Sequence, residues 1–275
     1  MTAANNIPKT SYGVLQQNQF DAVFDKVVEE VKTLGYAIVD SGYSAPILQN
    51  ISDEFNRTQE HYVAMYGEST LKSLNEIHTI RSPLTHGGEI FLNLALNEHV
   101  LSALRKLIPG KFILNQQNGV INPPQGTSNQ GDWHRDLPYQ HFVSTTPLAI
   151  NALFCVDDFT VENGSTFVLP ASHKSEAFPS ERYIQNHAIQ IEAKAGSYIL
   201  LDCMLFHVGG FNKTHSARRA VNHIYNIPYF KQQINIPRNM KGLELSAEIK
   251  DILGFNYVEP GSIADYLATR TGKKY

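Results

Sequence analysis

From about residue 111 the chain breaks into short runs rich in β-branched and aromatic residues, separated by Gly, Pro, Asn and Asp: KFILNQQNGVI, LAINALFCVDDF, STFVLPAS, AIQIEAKAGSYILLD and RRAVNHIYNI. Strands that recur at roughly ten to twenty residues belong to a sandwich or jelly roll rather than a βαβ fold. No G-x-G-x-x-G follows a strand and no G-x-x-x-x-G-K-[ST] occurs, so neither a dinucleotide fold nor a P-loop has support.

The residues before 111 read differently. Phe20, Val23, Phe24, Val27, Val31 and Leu34 recur at helical spacing, with acidic and basic residues between them and Gly35 as a stop. GYAIVDSG reads as a short strand, and SAPILQNISDEFNRTQEHYVAMYG as a helix entered through Ser44 and Pro46. NEHVLSALRKLIPG reads as another helix, capped by Asn97 and ended by Pro109-Gly110. The expected organisation is one domain over residues 1–275, with a helical layer over 1–110, a β core over 111–230 and a packing segment over 231–275. That last segment is expected to lie against the barrel or a neighbouring subunit, and the sequence leaves the oligomeric state open.

With 42% hydrophobic residues in 275, the chain can bury a full core. Its formal net charge of −3 and the absence of a long basic run argue against nucleic acid as a partner. No basic region followed by an apolar stretch opens the sequence, and no run approaches the roughly 18 apolar residues of a membrane helix. A cytoplasmic protein without a membrane partner is expected. Cys155 and Cys203 sit alone in apolar runs, as buried free thiols do.

The stretch GDWHRDLPYQ, residues 131–140, carries the chemistry. On a strand, His134 and Asp136 face one way while Trp133 and Arg135 face the other. Two ligands on one face can grip an ion, and His207, at the end of the apolar run ILLDCMLF, is the candidate third. Two neutral imidazoles and one carboxylate on one face of a metal leave three positions open, the arrangement of non-haem Fe(II) oxygenases. Eleven residues after His207 stands Arg218, suited to a charge-assisted clamp on a carboxylate. Arg219 competes with it, because adjacent strand residues face opposite sides and only one looks inward. The remaining histidines read as solvent-facing or satisfied core residues.

These residues, with ENGSTFVLPASHK at 162–174 and FHVGGFNKTHSARRAVNHIY at 206–225, resemble the phytanoyl-CoA dioxygenase family of iron(II)- and 2-oxoglutarate-dependent oxygenases. The resemblance extends over most of the chain. It implies a mainly β fold with a helical layer, built on a double-stranded β-helix of the jelly-roll, cupin-like kind. It implies His134, Asp136 and His207 as iron ligands, and its spacing selects Arg218 over Arg219 for the far carboxylate of 2-oxoglutarate. Gln117, seventeen residues before His134, falls where relatives carry a polar residue touching the cosubstrate. Many relatives have serine two residues after the distal histidine; here that position is Gly209, so Thr166 or Ser216 is expected to supply the hydroxyl.

The implied cofactors are Fe(II), 2-oxoglutarate as cosubstrate and O2, with succinate and CO2 released as a C–H bond of a small molecule is oxidised. Hydroxylation is the expected outcome, with desaturation, ring formation and cleavage open to the same ligands. Asp136 argues against halogenation, which needs its position vacant. On the substrate side, EIHTIRSPLTHGG places His78, Arg81 and His86 near the barrel mouth, and Tyr139 and His141 follow the metal motif. An inward Arg81 would favour an anionic substrate. No Lys/Arg patch suits the phosphates of a CoA thioester, which points toward a small polar or natural-product metabolite. Two other readings use the same ligands: a cupin- or zinc-type metal enzyme, which leaves Arg218 unexplained, and a catalytically silent binding member of the fold.

Overall fold

The computed structural model describes residues 7–8, 10–18, 23–138 and 142–271. Its first half runs α1 (Val23–Leu34), β1 (Tyr36–Asp40), α2 (Ala45–Tyr66), α3 (Glu68–Ser73), β2 (Thr79–Arg81), α4 (Glu89–Ala95) and α5 (Glu98–Leu107). The β core follows as β3 (Ile113–Asn122), β4 (Ala149–Cys155), β5 (Thr166–Val168), α6 (Glu181–His187), β6 (Ile189–Gln190), β7 (Ser197–Asp202), β8 (His207–Gly209) and β9 (Arg218–Asn226). Short helices α7 (Ile236–Asn239), α8 (Ala247–Ile252) and α9 (Ile263–Ala268) end the chain. Among the described residues, no helix is long and apolar enough to cross a membrane.

Helix boundaries follow the local chemistry. Gly35, with φ +90°, ends α1, and Gly67, with φ +82°, ends α2. The Asn97 side chain accepts hydrogen bonds from the amides of His99 and Val100 at the start of α5, as the sequence predicts.

The strands form an antiparallel six-stranded sheet in the order β1-β7-β4-β9-β3-β2 and a smaller sheet in the order β6-β5-β8. A bridge between His134 and His207 adds a third line of pairing to the smaller sheet. This is the jelly-roll sandwich expected from the strand spacing, with one difference. Two strands from the helical layer, β1 and β2, form the two edges of the large sheet, so residue 110 does not separate helices from sheet.

The large sheet is buried on both faces. Ala152, Phe154, Tyr198, Leu200, Val221 and Tyr225 pack toward the helices in one apolar core. Leu153, Cys155, Ile199, Leu201 and Ala220 point into the sandwich, where they meet Phe159, Val168, Ile191 and Leu205. Buried Ile236, Met240, Ile252 and Leu253 join the helix-side core, so part of the C-terminal segment packs on this chain's own fold. Cys155 and Cys203 are free and buried, and burial pushes the Cys155 thiol up to about 12. The two sheets thus hold an interior whose polar side chains come from β3, β4, β5, β8 and β9, with a second set contributed by the loop before His134.

Candidate active site

One pair of backbone hydrogen bonds assembles the site. His134 N donates to His207 O at 3.0 Å and His207 N to His134 O at 3.1 Å, which sets the two side chains abreast on one face. Their ring centroids lie 4.3 Å apart. The turn delivering His207 is itself held: Asp202 accepts the Met204 amide at 2.9 Å, and Ser172 Oγ accepts the Phe206 amide at 2.9 Å. Ser172 belongs to the ENGSTFVLPASHK segment, which therefore braces the turn that carries His207.

Both imidazoles are fixed in tautomer. His134 Nδ1 lies 2.7 Å from Asp132 O, and His207 Nδ1 lies 3.0 Å from Leu205 O. A carbonyl oxygen only accepts, so each Nδ1 carries a hydrogen, and in the neutral ring the lone pair stands on Nε2. Burial pushes the His207 imidazole below its ordinary pKa, against the pull of Asp136, and so favours the neutral form a metal requires. Asp136 Oδ1 stands 3.8 Å from His207 Nε2, and Asp136 Oδ2 accepts from Asn151 Nδ2 at 2.8 Å. Donor atoms of all three residues lie within 4.8 Å of one another, close enough for small side-chain shifts to bring all three onto one ion. Among the described residues this is the only such cluster.

The alternation read from WHRD holds. Arg135 turns to the other side, where Nε donates to Met204 O at 2.7 Å and its guanidinium stacks on Phe206, and Trp133 meets Phe178.

A narrow cleft beside the triad is lined by His207, Arg218, Thr166, Asn151, Asn222, Ser128 and Gln130, with Val120, Leu153 and Leu201 as its apolar walls. Arg218 is 4% exposed. Its Nη2 donates to Gly164 O at 3.1 Å, its Nε has no partner, and the guanidinium lies 4.0 Å over the Phe159 ring. No carboxylate among the described residues forms an ion pair with it, and burial lowers its pKa to about 10. A buried cation without an ion-pair partner is costly. Arg219 points to the helix side, where Asp157 takes both Nε and Nη2 and Ser52 and Asn56 take the rest.

Other expected residues are distributed as follows. Thr166 lies in the cleft opposite Gly209. Ser216 is exposed and outside it, and the hydroxyl near Gly209 is Ser128 Oγ, 3.8 Å from where a Gly209 Cβ would stand. Gln117 does not face the cleft. It pairs with His223 on the helix side, donates to Phe91 O at 2.7 Å and accepts the Leu84 amide at 2.8 Å. The irregularity between Leu114 and Gln116 puts Gln116, Asn118 and Val120 on the inward face instead.

Arg81 shares its face with Asn118, to which it is paired in the sheet, but Glu76 holds it in a two-pronged ion pair of 2.8 and 2.5 Å. His78 is half-buried one residue before β2, away from the cleft lining, and His86 packs against Tyr62 and Tyr66. Tyr139 and His141 lie outside the described residues.

The sequence reading passed over Asn151, Asn222, Ser128 and Gln130. A polar residue inside an otherwise apolar strand, as in LAINALFC, is the signal that marks Asn151. Ser128 and Gln130 sit on a loop and carry no periodic signal.

Residues 31–220 match the phytanoyl-CoA dioxygenase (PhyH) family. An uncharacterized protein of Mycobacterium tuberculosis, Rv1501, is 30% identical over 239 residues, covering 84% of this chain and 86% of that protein. The chain belongs to the phytanoyl-CoA dioxygenase family.

As a family member it is an oxygenase of the iron(II)- and 2-oxoglutarate-dependent class. The Fe(II)/2-oxoglutarate-dependent dioxygenase nvfF of Aspergillus novofumigatus is 30% identical over 163 residues, 55% of this chain and 53% of that protein. In fold, the chain resembles the crystal structure of EctD from S. alaskensis with 2-oxoglutarate and 5-hydroxyectoine, at TM-score 0.62 and 21% identity, covering 73% of this chain and 75% of that one.

Proposed function

We propose that this family member hydroxylates an unactivated C–H bond of a small, polar metabolite of specialised metabolism, with His134, Asp136 and His207 as the iron ligands. The observation that carries the reading is the pairing of two imidazoles and a carboxylate with a buried arginine that has no ion-pair partner among the described residues, all bordering one interior. The donor set fits iron(II), a metal served by two histidines and one carboxylate with open positions. When bound, the metal and 2-oxoglutarate supply activation of O2 and oxidation of the C–H bond, with succinate and CO2 released.

The chain's own residues bind, orient and shield. Arg218 would hold the far carboxylate of the cosubstrate, and Thr166, on the same cleft, would offer a hydroxyl to it. Backbone carbonyls of Asp132 and Leu205 keep both histidine Nε2 lone pairs aimed inward through the cycle. Val120, Leu153 and Leu201 keep water from the cosubstrate. Asp136 occupies the ligand position that halogen would need, which supports an oxygenated product.

Substrate recognition is assigned to neutral amides. Gln116, Asn118 and Asn222 lie on the inward face of the large sheet, and Gln116 Nε2 donates to Asn222 Oδ1 at 3.4 Å. Arg81 is neutralised by Glu76, so it gives no reason to expect an anionic substrate. A hydroxyl- or amide-bearing neutral molecule suits this wall better than a carboxylate.

The test is an aerobic screen of neutral polyols, N-acetylated amino sugars and cyclic amides with Fe(II) and 2-oxoglutarate, scored by succinate and by a mass gain of one oxygen in the substrate. A compound that gives both supports the proposal. Coupled turnover confined to acyl-CoA or carboxylate substrates would overturn the assignment of class.

A further inference from the structure

We propose that Asn151 is a positioning residue that restricts Asp136 to ligating through one oxygen, which keeps three metal positions free for cosubstrate and O2. This rests on the reading of His134, Asp136 and His207 as metal ligands.

Asn151 is an anomaly of composition. It sits in the middle of β4, 2% exposed, in a strand whose other residues are all apolar, and it is paired with Leu201 on one side and Ile224 on the other. A carboxamide there costs free energy unless something on the far side of the sandwich uses it. What uses it is Asp136: Asn151 Nδ2 donates to Asp136 Oδ2 at 2.8 Å.

The carboxylate needs such a hold. The backbone around Asp136 is held, with the Leu137 amide donating to Cys203 O at 3.3 Å and Arg135 Nε to Met204 O at 2.7 Å, but those bonds leave the carboxylate itself free to turn. No other side-chain hydrogen bond reaches its carboxylate among those the structure describes. A rigid sheet position therefore reaches across the interior and ties down Oδ2, leaving Oδ1 as the oxygen that faces His207 Nε2 at 3.8 Å.

Ligand counting gives the tie its purpose. Three single-atom protein ligands leave three positions on a six-coordinate ion, two for a chelating 2-oxo acid and one for O2. A carboxylate bound through both oxygens would take one of them. Asn151 Oδ1 adds a second feature: it is buried, lines the cleft with Arg218 and Thr166, and has no partner, so it can accept a hydrogen from a group bound at the metal.

The experiment uses the whole chain carrying Asn151→Leu, which keeps the volume and removes the donor, with Asn151→Ala as the alternative if the leucine variant does not fold. Thermal melting first establishes a folded protein. Cobalt(II) is then titrated anaerobically as a spectroscopic stand-in for iron, alone and with 2-oxoglutarate.

The expected result is Co(II) affinity about 10- to 100-fold weaker, as for other groups that orient metal ligands. The d–d spectrum of the Co(II) complex should change, because the carboxylate is free to chelate, and 2-oxoglutarate should perturb that spectrum less than in the wild type. A folded variant with wild-type Co(II) affinity and an unchanged spectrum overturns the proposal. Wild-type protein that binds no Co(II) overturns the ligand reading itself, and this one with it.

Discussion

Replacing Arg218 by methionine separates two effects of opposite sign. In the ligand-free protein the guanidinium is 4% exposed with one described hydrogen bond, and burial lowers its pKa to about 10, more than two units below the ordinary guanidinium value. At ~1.4 kcal/mol per pH unit, holding that charge costs the folded state ~3 kcal/mol. The folded pKa is depressed while both folded and unfolded forms carry the proton at neutral pH, so this cost is present throughout the neutral range. It begins to fade only as pH rises past about 10 and is lost only when the unfolded guanidinium also gives up its proton.

Methionine removes that cost and loses the contact with Phe159 and the bond to Gly164, together worth ~1–2 kcal/mol. The apo variant should therefore be as stable as the wild type, or more stable by ~1–2 kcal/mol. Binding moves the other way. Two charge-assisted hydrogen bonds to a carboxylate contribute at least ~3 kcal/mol, so the KM for 2-oxoglutarate should rise by about 100-fold or more.

Urea unfolding with and without 2-oxoglutarate, together with succinate-release kinetics, reads both effects in one pair of proteins. A KM within about threefold of the wild type, or an apo protein destabilised as by the loss of a satisfied buried cation, would refute the reasoning.

The other expectations are simpler. Arg219→Met breaks the paired bonds to Asp157 and should lower stability by ~1–2 kcal/mol while leaving the 2-oxoglutarate KM unmoved; a KM rise there would mean the wrong arginine had been assigned. Asp202 is buried and its folded pKa is raised to about 6 by desolvation, so the folded state binds the proton more tightly and wild-type stability falls as pH rises from about 4 to about 6. Asp202→Asn should therefore stabilise the protein by up to ~3 kcal/mol at pH ~8 and far less at pH ~4, measured by urea unfolding; an equal effect at both would exclude the carboxylate as the cause. Gly164 has φ +72°, and a Cβ there would stand 2.4 Å from Gly210 O, so Gly164→Ala should cost about 2 kcal/mol or more and shift the urea midpoint down.

How much of this was legible before any coordinates follows from particular residues. The two-residue period fixed the facing of His134 and Asp136 against Trp133 and Arg135, and the structure sorts Arg218 and Arg219 to opposite faces of β9 as that period requires. Gln117 went astray for a physical reason. β3 is largely buried on both faces, so its sequence shows no polar alternation to mark the interior, and the irregularity at Leu114/Gln116 decides which amide turns in.

Asn151 was readable as a polar residue in an apolar strand, but its partner Asp136 is fifteen residues away and only the closed sandwich brings them together. Ser128 sits on a loop, where no period exists to read. β1 and β2 joined the large sheet from the helical layer because edge strands of a few residues carry too short a pattern to announce their pairing. The ion pair that neutralises Arg81 likewise depends on the turn that brings Glu76 beside it.

The measurement that tests the account most directly is anaerobic addition of Fe(II) and then 2-oxoglutarate to the purified protein, followed by visible absorption, with His207→Ala alongside. The account predicts the weak charge-transfer band of an iron-bound 2-oxo acid in the wild type and none in the variant. Tightly bound iron with no band on adding 2-oxoglutarate, or an equal band in both proteins, would contradict it.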